Sequence, residues 1–333
     1  MATRALTSRS EARSSAVVMA AALFAVGWLV LAFLIGSRWS QTDAWPARFG
    51  LIIWVAALVA LIGLGWLSSL IAAARGRVAR AVRLVPAILV LVLAVTLTEA
   101  LLRAYKVPAA LIPFPSQVFE TLWTARIVLW RDLFRTFILE VLTGYVIGSA
   151  LGIGLALLVA RFKCLDTGLM PYASLFSSIP IVAIAPVAIK AIGLEWPSKM
   201  IIVIISIIFP VLVNTARGLQ EVSPMSLDLM RSYGSRPNQV FGFLRIPNAL
   251  PYVFNALKLG TTLAMIGAIV AEFSGADGSG LGFRILVESG ISNYNIVWAA
   301  IIVSSVLGIA SYNAVAWLEK RYTSWHVSNR GEG

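Results

Sequence analysis

Four ionisable side chains stand where an apolar sequence can least accommodate them: Glu140, Lys190, Lys258 and Glu272, with Arg135 a little over one turn before Glu140. A charge left facing hydrocarbon costs several kcal/mol, so each must point into a helix bundle, snorkel to an interface or find a partner. Glu140 has the stronger claim to a buried polar role, with Arg135 as its partner. Lys258 and Glu272 lie near opposite ends of one expected helix and are read as interface positions. Catalytic chemistry is poorly supplied. No G-x-x-x-x-G-K run is present to hold nucleotide phosphates, and the lone His326 excludes a two-histidine zinc site. The lone Cys164 excludes an intrachain disulfide, a CxxC redox pair and a multi-cysteine metal site. The sequence thus predicts no catalytic residue and no metal ligand set.

The elements around these residues follow from composition. The 333 residues are 59% hydrophobic and 13% charged, against about half and about a quarter in a soluble domain. The bilayer is therefore the solvent. The net charge of +12 sits in short clusters between apolar runs, which points to membrane topology rather than a nucleic-acid face. A span needs about 20 apolar residues, and the fold expected is an all-α polytopic membrane protein of about eight transmembrane helices. They fall near residues 16–36, 49–74, 84–102, 133–160, 169–193, 199–214, 251–272 and 294–318. The first is long enough to be a retained span rather than the apolar part of a cleaved signal. With both termini cytoplasmic, the inner segments hold 16 lysines and arginines and the outer segments 8, as the positive-inside rule requires.

Residues 1–83 are read as a cytoplasmic tail and two additional apolar helices without charge or proline, followed by a basic linker, Arg75, Arg77, Arg80 and Arg83, that joins them to the rest and suits anionic lipid headgroups. The charges and prolines fall in residues 84–325, followed by a short tail at 326–333. Gly144, Gly148 and Gly152 repeat every four residues, which lets a neighbouring backbone approach closely. Pro180, Pro186 and Pro210 free backbone carbonyls, tolerable in a membrane only beside protein or a water-lined cavity.

The most specific pattern is in the cytoplasmic loop at 215–250. Ser226 can cap a short helix, Asp228 suits its first turn and Gly234 can take the left-handed closing conformation; Pro247 and Pro251 then reset the chain before the next span. Here the sequence resembles the permeases of bacterial ABC importers, whose loop reads E-A-A, three residues, G, nine residues, I-x-L-P. Asp228-Leu229-Met230 falls on the first triplet, Gly234 on the glycine and Leu244-Arg245-Ile246-Pro247 on the closing quartet, without a gap. Asp replaces Glu, and Leu229 and Met230 replace two alanines. Further likeness lies in Leu133-Phe134-Arg135-Thr136, Ser178-Ile179-Pro180, Ala185-Pro186, Phe209-Pro210, Ala271-Glu272-Phe273, Gly280-Leu281-Gly282 and Trp325-His326. These look like the nitrate, sulfonate and taurine branch, and the ending is similar to members for thiamine pyrimidine precursors.

The resemblance implies a six-helix type I importer core preceded by two extra helices. It implies a coupling helix that docks on a separate ATPase through Asp228, Leu229, Met230, Arg231, Gly234, Leu244, Ile246 and Pro247. ATP and Mg would be bound by that partner, with no cofactor in this chain. It implies a transport path bordered by Glu140, Tyr145, Ser177, Ser178, Pro180, Pro186, Asn214 and Glu272. Gly280, Gly282 and Arg284 would meet an extracytoplasmic substrate-binding protein, and a second permease copy would complete a homodimer in the bacterial cell membrane. A secondary transporter or channel working without an ATPase is the alternative, since intramembrane charges and broken helices occur there too.

Overall fold

The computed structural model describes residues 24–25, 27–28, 47–73, 80–105, 107–109, 111–275 and 277–323. Most of the first expected span, Arg75 and Arg77 in the basic join, and Trp325-His326 lie outside the described residues. The described residues form helices and connections with no strand: α1 (Ala47–Ala73), α2 (Arg80–Ala104), α3 (Pro115–Thr124), α4 (Arg126–Arg161), α5 (Lys163–Ser177), α6 (Ile181–Ile192), α7 (Trp196–Gln220), α8 (Pro224–Ser232), α9 (Pro237–Ser274), α10 (Leu281–Gly290) and α11 (Tyr294–Tyr322). Among these, five helices are long and apolar enough to cross a membrane, six if α5 and α6 count as one broken span.

Two compact units divide the chain at Glu120. In the first, α1 and α2 pack through Ile53, Ala56, Ala60, Leu64, Leu93 and Ala100, with Phe24 in the same cluster. A side chain at Gly27 would lie 2.7 Å from the Ala56 carbonyl, so the glycine permits backbone contact there. Glu99 fixes the end of α2: it pairs with Arg103 at 2.7 Å and accepts the Ser116 N–H at 3.0 Å and its hydroxyl at 2.7 Å. The third expected span thus keeps company with the second, whereas the sequence places a boundary at residue 83.

In the second unit α7 is central, with α4 on one side and α9 on the other. Val203, Ile207 and Val211 of α7 meet Val141 of α4 and Ala256, Ala264 and Ala268 of α9. The glycine stripe faces α7 directly. A Cβ at Gly144 would lie 2.7 Å from Val203 Cγ1, at Gly148 3.2 Å from Ile204 Cα, and at Gly152 2.8 Å from the Ile208 carbonyl oxygen. Between apolar helices in lipid, that proximity supplies the dispersion contact that water would otherwise drive.

Three sequence expectations need correction. The stretch 169–193 is not one straight span: α5 and α6 meet at 98° across Ser178–Pro180, where Pro180 takes an extended conformation that no helix can continue. Pro247 and Pro251 do not interrupt the chain before the seventh span. They lie within α9, where a π-helical turn at Phe241–Arg245 precedes Pro247 and relaxes the tight i−4 register its ring would clash with. The short helix of the 215–250 loop begins at Pro224, with Ser223 at its N-cap position, so Ser226 is inside it rather than capping it.

Candidate functional site

One polar cluster occupies the end of the second unit where α4 begins and α9 finishes. Asp132, Thr136 and Glu140 repeat every four residues along α4, and all three are at most 1% exposed. Residues 134–142 are π-helical. The wider turn of a π-helix rotates successive residues less than an α-helix does, which keeps a four-residue repeat in line. Such segments favour functional positions because they re-aim side chains within an otherwise regular helix.

These side chains cap a helix that has no cap of its own. Residue Gly280 precedes α10 and offers no side chain to its orphan N–H groups. Instead the Gly280 N–H donates to Asp132 Oδ1 (3.3 Å), the Leu281 N–H to Thr136 Oγ1 (2.8 Å) and the Gly282 N–H to Glu272 Oε2. The Thr136 hydroxyl donates in turn to Glu272 Oε1 at 2.6 Å. The α10 N-terminus is the positive end of its dipole, so two carboxylates there are favourably placed. Arg284, one turn into α10, donates from Nε to Asp132 Oδ2 at 2.8 Å and from Nη1 to Glu288 Oε1 at 3.4 Å.

Cations balance the acids. Arg135 pairs with Asp277, reaches Glu195 at 3.8 Å and approaches Glu140 at 3.9 Å. Lys199, 1% exposed, donates to the carbonyls of Leu194 and Glu195 and lies within electrostatic reach of Glu140, Asp277 and Glu272. Glu140 and Glu272 are themselves neighbours. Glu140 Oε2 has no hydrogen-bond partner among the described residues. The cluster therefore ties α4, α7, α9, α10 and Asp277 together, with the Glu140 and Glu272 carboxyl groups side by side at its centre.

Several expectations change here. Glu272 is buried, not interfacial, because the α10 N–H groups and Thr136 replace its water. Lys258 does have a partner, Glu319 on α11, at 2.6 Å. Gly280 and Gly282 are buried, so they sit inside the bundle rather than on an outward surface. A Cβ at Gly280 would fall 2.0 Å from Glu272 Oε1. Arg284 holds Asp132, which makes it part of the cluster before it can be part of any docking face.

The remaining residues expected along the path are dispersed. Tyr145 donates to the Leu257 carbonyl at 3.0 Å and borders a cavity of about 350 Å³ with Phe137, Thr261 and Ser311. Ser177 and Ser178 bond carbonyls of their own helix beside Pro180, Pro186 lies exposed within α6, and Asn214 bonds the Pro210 carbonyl at 2.8 Å. A larger, mostly apolar cavity of about 610 Å³ lies among α9, α10 and α11, lined by Met265, Phe273, Ser304 and Asn313 among others. Sequence reasoning missed Asp132, Thr136, Lys199 and Asp277 as site residues. The four-residue repeat of Asp132, Thr136, Glu140 and then the three glycines is the signal that finds the first two.

At the opposite end, α8 stands free. None of its residues is buried, and Met225, Leu229 and Tyr233 at its end are exposed. It closes in a Schellman turn: the Ser235 N–H donates to Met230 O (3.0 Å), the Gly234 N–H to Arg231 O (2.9 Å), and Gly234 has φ +67°. Leu244 and Arg245 are in the π-helical turn and Ile246 and Pro247 follow it at the start of the α-helical part of α9.

Several known proteins are similar to this chain in sequence. A formylaminopyrimidine transport permease protein of Halalkalibacterium halodurans is 29% identical over 219 residues, 65% of this chain and 86% of its own length. A Bacillus subtilis protein named for aliphatic sulfonates transport is 27% identical over 228 residues, 68% and 82% of the two chains. A riboflavin transport system permease protein of Chloroflexus aurantiacus is 26% identical over 223 residues, 66% and 82%. Residues 148–324 match the family model described as the binding-protein-dependent transport system inner membrane component, more than half of the chain. The chain belongs to that family of ABC importer permeases.

Proposed function

We propose that this permease forms the alternating-access path of an ATP-driven importer, with α8 as the helix a separate ATPase grips. The observation that carries this is the exposed α8 itself: nine residues with no buried side chain, presenting Met225 and Leu229 and ended by a left-handed Gly234. An isolated helix of that length is not stable in water, and a groove on a partner would supply its missing contacts. ATP and Mg belong to that partner, and solute arrives from an extracytoplasmic binding protein. A second permease copy completes the path. Both termini are cytoplasmic, in a bacterial cell membrane.

The solute is a small anionic or neutral organic molecule. Support comes from relatives named for sulfonates, a formylaminopyrimidine and riboflavin, and from the scarcity of acids along the mid-span cavities. The test is uptake into proteoliposomes by the chain alone and with its ATPase and binding protein. Uptake should require all three and ATP. Replacing Gly234 with Val should leave ATP hydrolysis but uncouple it from uptake, since a β-branched residue resists positive φ. Gradient-driven uptake by the chain alone would overturn the proposal.

A further inference from the structure

A second polar site lies beneath α8 and shares Arg231 and Arg245 with the loop motif. Four arginines from three elements line one cavity of about 730 Å³: Arg161 ends α4, Arg231 is on α8, and Arg236 and Arg245 flank the first turns of α9. No carboxylate lines it. Asp228 pairs with Arg231 at 3.3 Å, both largely exposed, and among the described residues Arg161, Arg236 and Arg245 have no carboxylate partner. Arg161 Nη1 donates to Asn238 Oδ1 at 2.7 Å, which joins the end of α4 to the start of α9. With Arg231 met by Asp228, the guanidiniums of Arg161, Arg236 and Arg245 remain as like charges around one space, and an anion entering it would relieve what repulsion the surrounding water leaves.

The rest of the lining narrows the anion. Ala160, Leu227, Val240 and Phe241 give the cavity an apolar side. Its place in the chain also matters: Arg161 closes one span and Arg245 immediately precedes the apolar run of another, so the cavity lies at headgroup depth. Guanidinium forks match phosphate oxygens in pairs, which a diffuse lysine patch does not. A soluble nucleotide would want a glycine-rich phosphate loop, absent here. A phosphodiester with a glycerol and acyl chain behind it uses both the arginines and the apolar side.

We infer that the Arg161, Arg231, Arg236 and Arg245 cavity binds a phosphate group, presented by an anionic phospholipid of the cytoplasmic leaflet. The inference rests on the cytoplasmic placement of α8 proposed above. A bound headgroup would brace Arg231 and Leu227 of α8 against α4 and α9, so that movement of α8 reaches the spans instead of being lost in a loose loop.

The test uses the permease with its ATPase in nanodiscs of phosphatidylcholine, with and without phosphatidylglycerol. Phosphatidylglycerol bound to the permease is counted by native mass spectrometry, and hydrolysis and uptake are followed in parallel. Arg161→Gln with Arg245→Gln should weaken phosphatidylglycerol binding roughly 30-fold, and Arg236→Gln alone about fivefold. Arg217→Gln, an exposed arginine near the end of α7 outside the cavity, should change nothing and controls for bulk charge. If inorganic phosphate alone replaces the lipid effect in phosphatidylcholine discs, the phosphate site stands and the lipid source falls. If folded double variant and wild type bind phosphatidylglycerol equally, the site itself falls. Lipid is counted on the permease, so failure of the ATPase to associate would speak against the coupling role of α8 and not against this site.

Discussion

Thr136 Oγ1 donates to Glu272 Oε1 at 2.6 Å and accepts the Leu281 N–H at 2.8 Å, so one hydroxyl joins three helices. Every atom involved is buried. Thr136→Val keeps the shape, but it removes the donor to Glu272 and leaves the Leu281 N–H without its acceptor. A loss of about 2–4 kcal/mol is expected from two unpaired buried groups, one of them a carboxylate. Thr136→Ser should recover most of it. Thermal unfolding of the purified permease in detergent checks the order wild type, Ser, Val.

Gly280→Ala should be more damaging than Gly278→Ala. Both glycines have positive φ, +123° and +93°, which costs a side chain about 1–2 kcal/mol by itself. Only at 280 would the new Cβ also meet Glu272 Oε1, at 2.0 Å, whereas Gly278 opens on empty space. The Tm difference between the two variants isolates the steric part. Equal Tm values would mean that the Glu272 carboxylate yields freely.

The glycine stripe offers an internal control. Gly152→Val would place its Cβ 2.8 Å from the Ile208 carbonyl oxygen, a backbone atom that cannot swing away, and overpacking of this kind costs about 1–3 kcal/mol. Gly154 has nothing within 4 Å of its Cβ position, so Gly154→Val should be close to neutral. Detergent thermostability of the pair tests whether the α4–α7 contact is what the stripe serves.

Lys258 and Glu319 join α9 to α11 at 2.6 Å, with both side chains under one-fifth exposed. A double-mutant cycle of Lys258→Met and Glu319→Gln should return a coupling of about 1 kcal/mol, above the usual exposed pair yet discounted for the water that still reaches them. A coupling near zero in unfolding measurements would show that each charge is solvated separately.

Features governed by local spacing were legible in the sequence. The Gly144-Gly148-Gly152 repeat and the helix stop at Gly234 depend on neighbours within a turn or two, and the structure has a close approach and a Schellman turn at those places; among the described residues five of the apolar runs are helices long enough to span, and 169–193 is broken at 98°. Glu140 with Arg135 was half legible. They are neighbours at 3.9 Å, but the Arg135 guanidinium turns toward Asp277, 142 positions along the chain.

Glu272 shows where local reading ends. On a helical wheel it is a charge near the end of a span, which reads as interfacial; its burial follows from the Gly282 N–H of α10 and the Thr136 hydroxyl of α4, which only folding brings to it. Lys199 is similar, at the edge of a span in sequence and fully enclosed in the fold. The sequence by itself therefore determined that this chain is a helical membrane protein with a short helix ending at Gly234 between two apolar runs, because hydropathy and turn chemistry are local. Which charges are buried together was decided by tertiary structure alone, because a buried charge is tolerated only where distant segments supply its hydrogen bonds.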